Sequence, residues 1–480
     1  MLSLNQKLNW VYGIGSAFIL LIAMLIYMEV YYVAAIIPLF LIIVGIGFFK
    51  LDWMLYLIIL STPLSLNLEQ MEFGLGIILP TEPLIFGAMV VFLGRLFYDH
   101  RFDAAVFKHP ISIGIFIHLI WVGFTVIPSE MPVVSIKFFL SRLWFVVVFF
   151  YLMTKFFKYP ENINKFFWLY IIPLMIVIIY TVYQHAIRGF EEKPAHWVMQ
   201  PFFKDHTSYG ALLAFYIPVL VGYLFNPGFR WNLKFIAFNV LLIFILGIIL
   251  SYTRAAWLSL VAALGVYILI KLRIRLWLLL TTGFFVLAAF FTFQEQIFMK
   301  LEKNRQDSSG DLSEHVESMS NVATDASNLE RINRWNCALR MFEERPVFGW
   351  GPGTYKFQYA PFQSSQELTI ISTNFGDLGN AHSEYLGPLA EMGILGMLSI
   401  IAIIILFYWR AVLLYYKLEI KELKVLVMTA ITGFTTYVTH GFLNNFLDTD
   451  KASLPFWGFM ALVVAIDVYH KNKKDPIVER

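Results

Sequence analysis

Residues 232–254 read NLKFIAFNVLLIFILGIILSYTR. Between Phe235 and Leu250 only Asn239 is polar, and the run stops at Ser251-Tyr252-Thr253-Arg254. An apolar stretch of roughly 20 residues is long enough to cross the hydrocarbon core of a bilayer as an α-helix. Comparable runs recur at 11–28, 30–48, 51–65, 82–98, 111–127, 133–156, 164–186, 207–225, 254–271, 275–293, 384–409, 423–442 and 452–469. The third is short enough to be re-entrant or interfacial. The 480-residue chain is 59% hydrophobic and only 14% charged, where a soluble domain carries about 25% charged residues. The expected fold class is an all-α polytopic membrane protein of about 12–14 transmembrane helices with a large outer loop segment.

A formal charge of +3 gives no reason to expect nucleic acid as a partner. The first apolar run lacks a small-residue cleavage site, so a retained span is expected rather than a signal peptide. Cys337 is the single cysteine, which excludes an intramolecular disulfide and a cysteine metal cluster. With the N-terminus placed in the cytoplasm, 21 of the 36 Lys and Arg fall on the cytoplasmic side. The short outer loops receive only Arg188, Lys193, Lys204, Arg254 and Lys451. That bias orients both termini inward. The chain then divides into a bundle at 1–293, an outer segment at 294–383 and closing helices at 384–480. The unusual polar residues face outward and no internal repeat is visible, which favours a surface-facing enzyme over an alternating-access transporter.

Within the outer segment, 302–328 is polar and aperiodic, and His315 reads as a solvated loop residue. Residues 329–345, LERINRWNCALRMFEER, place Ile332, Trp335, Leu339 and Phe342 in one helical stripe, predicting an interfacial helix. Arg331 and Arg334 flank the stripe and Arg340 points away. The guanidiniums can snorkel to lipid headgroups or grip one phosphate bidentately, and the pattern does not choose between these. Pro346 ends the helix. GWGPG at 349–353 follows, read as a turn between interfacial segments because it lacks the preceding strand and the spacing of a dinucleotide fingerprint.

Lys137 and Arg142 lie inside the span 133–156, and Arg254 stands at the outer lip of another. Ionisable groups at such depth face a cavity or a partner. With Arg331 they can build a cationic pocket for a lipid-linked phosphate. His206, His382 and His440 all fall at outer helix ends, but their spacing does not suit chelation. The Asp448-Thr449-Asp450 triplet resembles the paired carboxylates of metal-dependent sugar transferases, yet short acidic loops are common. No metal and no cofactor are expected. The stretch 379–396, GNAHSEYLGPLAEMGILG, sets His382 at the mouth of a membrane helix, with Glu384 and Glu391 following inward.

In order, SYTRAAW, ERINRW, RPVFGWGPGTY and NAHSEYLGPLAEMGILG resemble the shared region of the O-antigen ligase and Wzy polymerase superfamily. The family's elements fall on Arg254, Arg331 with Trp335, Pro346 with Gly349 and Gly351, and His382 with Glu391, Gly393 and Gly396, over roughly 251–400. One departure stands out. Many members have asparagine after the histidine, whereas this chain reads Asn380-Ala381-His382-Ser383, so Asn380 or Ser383 is expected to substitute. The resemblance implies a metal-independent, GT-C-like glycosyltransferase at the periplasmic face of the bacterial inner membrane. Its donor would be glycan on undecaprenyl pyrophosphate. The acceptor hydroxyl would be on lipid A core, as in an O-antigen ligase of lipopolysaccharide biosynthesis, or on a polysaccharide chain or protein. A lipid-linked glycan flippase is the competing class. On this reading His382 is the general base, kept neutral by the helix N-terminus. Arg254 and Arg331 stabilise the leaving pyrophosphate. Arg142, Arg334, Lys137, His206 and Asn380 assist in substrate binding, and Glu384 and Glu391 orient the ring or the acceptor sugar.

Overall fold

The computed structural model describes residues 4–28, 45, 47, 49–67, 78–99, 103–274, 326–369, 372 and 379–472. Among these the only strands are Leu66–Asn67 and Ile78–Leu79, a two-residue antiparallel pair. Everything else regular is helical. The longer helices are α1 (Leu4–Tyr27), α2 (Leu51–Ser61), α3 (Thr81–Asp99), α4 (Pro110–Val126), α5 (Pro132–Val146), α6 (Glu161–Ala186), α7 (His206–Phe225), α8 (Trp231–Leu250), α9 (Arg254–Lys271), α10 (Ala326–Glu344), α11 (Leu386–Lys417), α12 (Lys421–His440) and α13 (Asp450–Ala465). α5 continues through a π-type stretch, Val147–Leu152, to Phe156. The expected spans at 30–48 and 275–293, and the loop 302–325 with His315, lie outside the described residues apart from isolated positions. The other twelve expected spans each coincide with a helix. Eight of the described helices are long and apolar enough to cross a membrane. The protein is an all-α polytopic membrane protein.

α13 is the axis of the bundle. It is apolar all round, and 89% of its span, carried on through Ile466–His470, is buried inside the protein, which is where a helix without a polar face belongs. α12 lies beside it and is richer in polar residues. Its threonines return their hydroxyls to the preceding turn: Thr432 Oγ1 donates to Met428 O at 2.8 Å, Thr435 Oγ1 to Ile431 O at 2.7 Å and Thr436 Oγ1 to Gly433 O at 2.7 Å. A hydroxyl satisfied by its own helix is buried without an orphaned donor. Phe215, Phe434, Phe456 and Phe459 fill the space between α7, α12 and α13.

A second, small core sits outside the bundle. Cys337, Ala338 and Met341 of α10 pack with Tyr355, Tyr359, Ala381 and Ala390. The buried face of α10 is therefore Asn333, Arg334, Cys337, Ala338 and Met341. Of the expected apolar stripe Leu339 is 41% exposed, and Ile332, Trp335 and Phe342 are half-buried. Arg340 is not a free outward charge. It donates to Phe362 O at 2.8 Å and to Glu367 at 2.7 Å, tying α10 to the following loop.

Candidate active site

α11 is broken near its start. Gly393 has φ 68° and ψ −169° inside that helix, a conformation for which glycine is the permissive residue. The break frees backbone carbonyls, and polar groups freed at membrane depth must find partners within the protein. They do. Trp350 N donates to Ala390 O at 3.1 Å, Gly351 N to Glu391 O at 2.8 Å, and Trp121 Nε1 to Met392 O at 2.9 Å, while Ile394 N donates to Pro346 O at 3.0 Å. GWGPG is thus a docking strip for the broken helix and not a simple turn between interfacial segments. Gly349, at φ +67°, lies against the Glu391 backbone so closely that a Cβ would collide with it. The Glu391 carboxylate accepts from Tyr355 N at 3.0 Å and from Gly353 N. It holds the strip in place rather than reaching toward His382.

His382 stands on the turn leading into α11, in the left-handed region at φ 48°, costly for a residue with a side chain. Its backbone N–H donates to Asn380 Oδ1 at 3.1 Å, and its carbonyl accepts from Trp335 Nε1 at 3.3 Å. Ser383 Oγ accepts from Tyr385 N and Leu386 N, each at 3.3 Å. Asn380 and Ser383 are both spent on backbone groups. Among the described residues neither side chain is hydrogen-bonded to the His382 ring, and Asn444 also lies close enough to influence it.

Three more elements bring their ends to this place. His206 opens α7, behind Asp205, whose Oδ1 accepts from Ser208 N at 2.8 Å and Thr207 Oγ1 at 2.7 Å. His196, from the preceding loop, sets its ring 4.2 Å from that of His206. His440 ends α12. Thr253 Oγ1 donates to His206 O at 2.8 Å, so the turn before Arg254 is fastened to the start of α7, and Arg254 itself is the half-buried first residue of α9. Arg331 and Asp205 each act electrostatically on His206, His382 and His440. Burial, then Arg331 and Arg334, lower the His382 pKa to about 4, although Asp205 and Asn444 oppose the shift. That keeps the ring neutral near pH 7, and its Nδ1 is buried without a hydrogen-bond partner among the described residues. Burial raises Asp205, but hydrogen bonds from Thr207 and Ser208 and the neighbouring His206 outweigh it and hold this carboxyl below the usual range. Among the described residues no group of three His, Cys, Asp or Glu side chains is arranged to hold a metal ion.

The remaining expected residues are set around this centre. Arg334 turns inward, 2.6 Å from Glu330 and 3.9 Å from the Tyr359 ring centre, with Glu330 also accepting from Thr369 and Ser372. Arg142 is buried and donates to Asp448 Oδ1 at 2.9 Å and Leu447 O at 3.4 Å. Lys137 is exposed, in the electrostatic field of Glu82. Glu384 Oε1 accepts from Tyr437 Oη at 2.6 Å, Phe446 N at 2.6 Å and Leu447 N at 2.9 Å. Glu384 and Arg142 therefore staple the 441–448 loop, and that loop carries Asn444. The acidic triplet is split: Asp448 pairs with Arg142, Thr449 caps α13, and Asp450 accepts from Ser65 at 2.8 Å and Thr81 at 2.5 Å. Sequence reasoning left His196, His440, Asp205 and Asn444 out of the site; only the helix-end position of His440 offered a signal.

Residues 238–401 match the family model described as O-antigen ligase, a match that supports a likeness to the O-antigen ligase/Wzy superfamily over that part of the chain. The match encloses the motif order read between about 251 and 400. No curated protein matches the chain.

Proposed function

We propose that the protein is a metal-independent O-antigen ligase that takes glycan from undecaprenyl pyrophosphate and joins it to a hydroxyl of lipid A core. The single observation carrying this reading is the half-buried His382 on the turn into α11, its Nδ1 without a hydrogen-bond partner among the described residues and within the field of Arg331. The distribution of Lys and Arg supports a site facing the periplasm, with both termini in the cytoplasm. In the reaction, Nδ1 of His382 takes the acceptor hydroxyl's proton as that oxygen bonds to the anomeric carbon. The bond from that carbon to the pyrophosphate oxygen breaks, and its electron pair leaves with the lipid pyrophosphate. Negative charge grows on the leaving oxygen, where fixed guanidiniums lower the barrier; Arg331 and Arg254 have this role. Arg142 is given the positioning of the 441–448 loop, and Arg334 that of α10.

The test is transfer by the purified protein in EDTA, with undecaprenyl-pyrophosphate-linked glycan as donor and three separate acceptors. Glycan on lipid A core is the expected product. Lengthened lipid-linked chains would assign a polysaccharide polymerase instead, and glycan on protein an oligosaccharyltransferase. Movement of the donor across the bilayer without bond formation would overturn the enzyme reading. Activity lost in EDTA and restored by a divalent cation would overturn metal independence.

A further inference from the structure

The turn between α10 and the GWGPG strip has a fixed shape. Gly349 N donates to Arg345 O at 3.1 Å and closes it, leaving Pro346, Val347 and Phe348 at the tip. Its backbone is fastened to the break in α11, where Ile394 N donates to Pro346 O at 3.0 Å. Gly393 permits that approach, because a Cβ there would strike Val347 O. Val347 and Phe348 nonetheless remain 53% and 45% exposed. Two large apolar side chains held outward by one turn mark a contact surface when they join a wider apolar patch.

Their level in the protein decides what that surface meets. The Phe348 ring stacks on Trp121 of α4, with centroids 5.7 Å and planes 15° apart. Trp121 Nε1 in turn donates to Met392 O of α11 at 2.9 Å. Trp121 lies five residues before Val126, the last residue of α4, and Met392 six residues after Leu386, the first of α11. At 1.5 Å per residue, Phe348 sits roughly 7–9 Å inside the ends of both helices. α4 packs along α11, which is long and apolar enough to span the membrane. Around that level α4 exposes Phe116, Ile117, Ile120 and Phe124, and α11 exposes Leu395 and Leu398. The charges next to the turn belong beyond the helix end. Arg345 pairs with Glu130, four residues past Val126, and its guanidinium lies 4.2 Å from the Trp350 ring centre.

We propose that Val347 and Phe348 form a membrane anchor, a wedge inserted between lipid acyl chains that continues the lipid-facing surface of α4 and α11. The occupant is hydrocarbon, because the patch is continuous with faces that meet the bilayer and stops at an Arg–Glu–Trp rim suited to the headgroup level. α10 carries Arg331 and leads directly into this turn, so the wedge sets the height of α10 relative to the bilayer. That consequence for the site rests on the transferase reading; the insertion does not.

Insertion is read on the wild-type chain in phosphatidylethanolamine–phosphatidylglycerol vesicles containing a lipid with a diazirine in its acyl chain. After photolysis, mass spectrometry should find adducts at Val347 or Phe348 as well as at Phe116 or Ile117 of α4. Adducts on α4 with none on the turn would overturn the proposal. Depth is read from a nitroxide on Val347→Cys in a Cys337→Ser background, with Phe116→Cys as the lipid standard and Ser365→Cys as the water standard. The label should respond to oxygen more than to a nickel chelate and lie roughly 5–10 Å below the phosphates. A label that behaves like Ser365→Cys overturns insertion, and one shielded from both reagents assigns the surface to a second copy of the chain instead. In vesicles Phe348→Asp should lower transfer from undecaprenyl-pyrophosphate-linked glycan roughly 10-fold, since a charge in hydrocarbon is costly, while Phe348→Leu should match the wild type. Undiminished transfer by Phe348→Asp would overturn the anchoring of α10. If the wild-type chain transfers nothing, the transferase reading fails while the adducts and the label still decide insertion.

Discussion

The two ends of the bundle treat buried charge in opposite ways. At one end Asp467 collects His109 Nε2 at 3.2 Å, Lys471 Nζ at 2.9 Å and the Arg410 guanidinium. Next to it Tyr469 donates to Asp103 at 2.6 Å. One carboxylate there serves three basic side chains. At the other end, some 25 residues back along α11 and so roughly 35 Å away, three histidines and Arg331 share the field of Asp205. Asp205 Oδ1 is already engaged in capping α7. Ring nitrogens of His206, His382 and His440 are buried with no protein partner. A carboxylate on which three bases converge makes a structural joint, even with Arg410 Nε left over. An excess of donors and lone pairs around a carboxylate with one oxygen committed makes a place for something else, and perturbed groups of that kind gather where chemistry is done.

The sharpest way to break the comparison is to remove one histidine at each end. His382→Ala should reduce transfer by roughly 1,000-fold while thermal stability stays near wild type. His109→Ala should do the reverse, lowering the melting temperature while kcat per folded molecule holds. Equal loss of activity in the two variants would mean that the ends do not differ in kind.

Arg331→Gln should cost about 100-fold in kcat/KM by removing a fixed charge near the leaving group. It also carries a pH signature. Burial and Arg331 hold His382 down at about pKa 4, so the base is neutral well below pH 6.5. Taking the cation away raises that pKa, and the acid limb of the residual activity should move upward. A limb that falls at the same pH in the variant would separate Arg331 from His382.

The spans were legible because twenty consecutive apolar side chains admit few other readings. α10 was legible as a helix, expected at 329–345 and found at Ala326–Glu344, yet its packed face was not. Periodicity follows hydrophobicity. Here the packed face carries Cys337, Ala338 and Met341 with a Glu330–Arg334 pair closed by Thr369 and Ser372, and an apolar stripe does not encode such a pair. His382 could be found because it opens a helix. Asn444 could not, since its position depends on Glu384 reaching 62 and 63 residues along the chain to Phe446 N and Leu447 N. No local pattern encodes that contact. Glu391 was visible as an acid in a helix, but the break at Gly393 that gives it partners is a property of the folded chain.

Glu384 supplies the smallest effect and the finest test of that loop. Burial raises its pKa from 4.5 to about 7, with hydrogen bonds from Tyr437 and Leu447 pulling the other way. A carboxyl whose folded pKa is raised binds a proton more readily in the folded state than in the unfolded one between pH 4.5 and 7. Its contribution to stability is therefore fully present below about pH 4.5 and declines as pH rises through 7. The difference is on the order of 3 kcal/mol for the shift alone. Melting temperature should fall between pH 5 and pH 8 in the wild type, and Glu384→Gln, which keeps an acceptor for the two backbone N–H groups, should flatten that slope. The amide costs little at pH 5, where the wild-type carboxyl is itself largely protonated. If instead Glu384→Gln unfolds the 441–448 loop, His440 and Asn444 lose their setting and transfer falls with stability at every pH. A flat profile with retained transfer makes Glu384 a joint like Asp467, placed at the reactive end to hold the loop that carries Asn444.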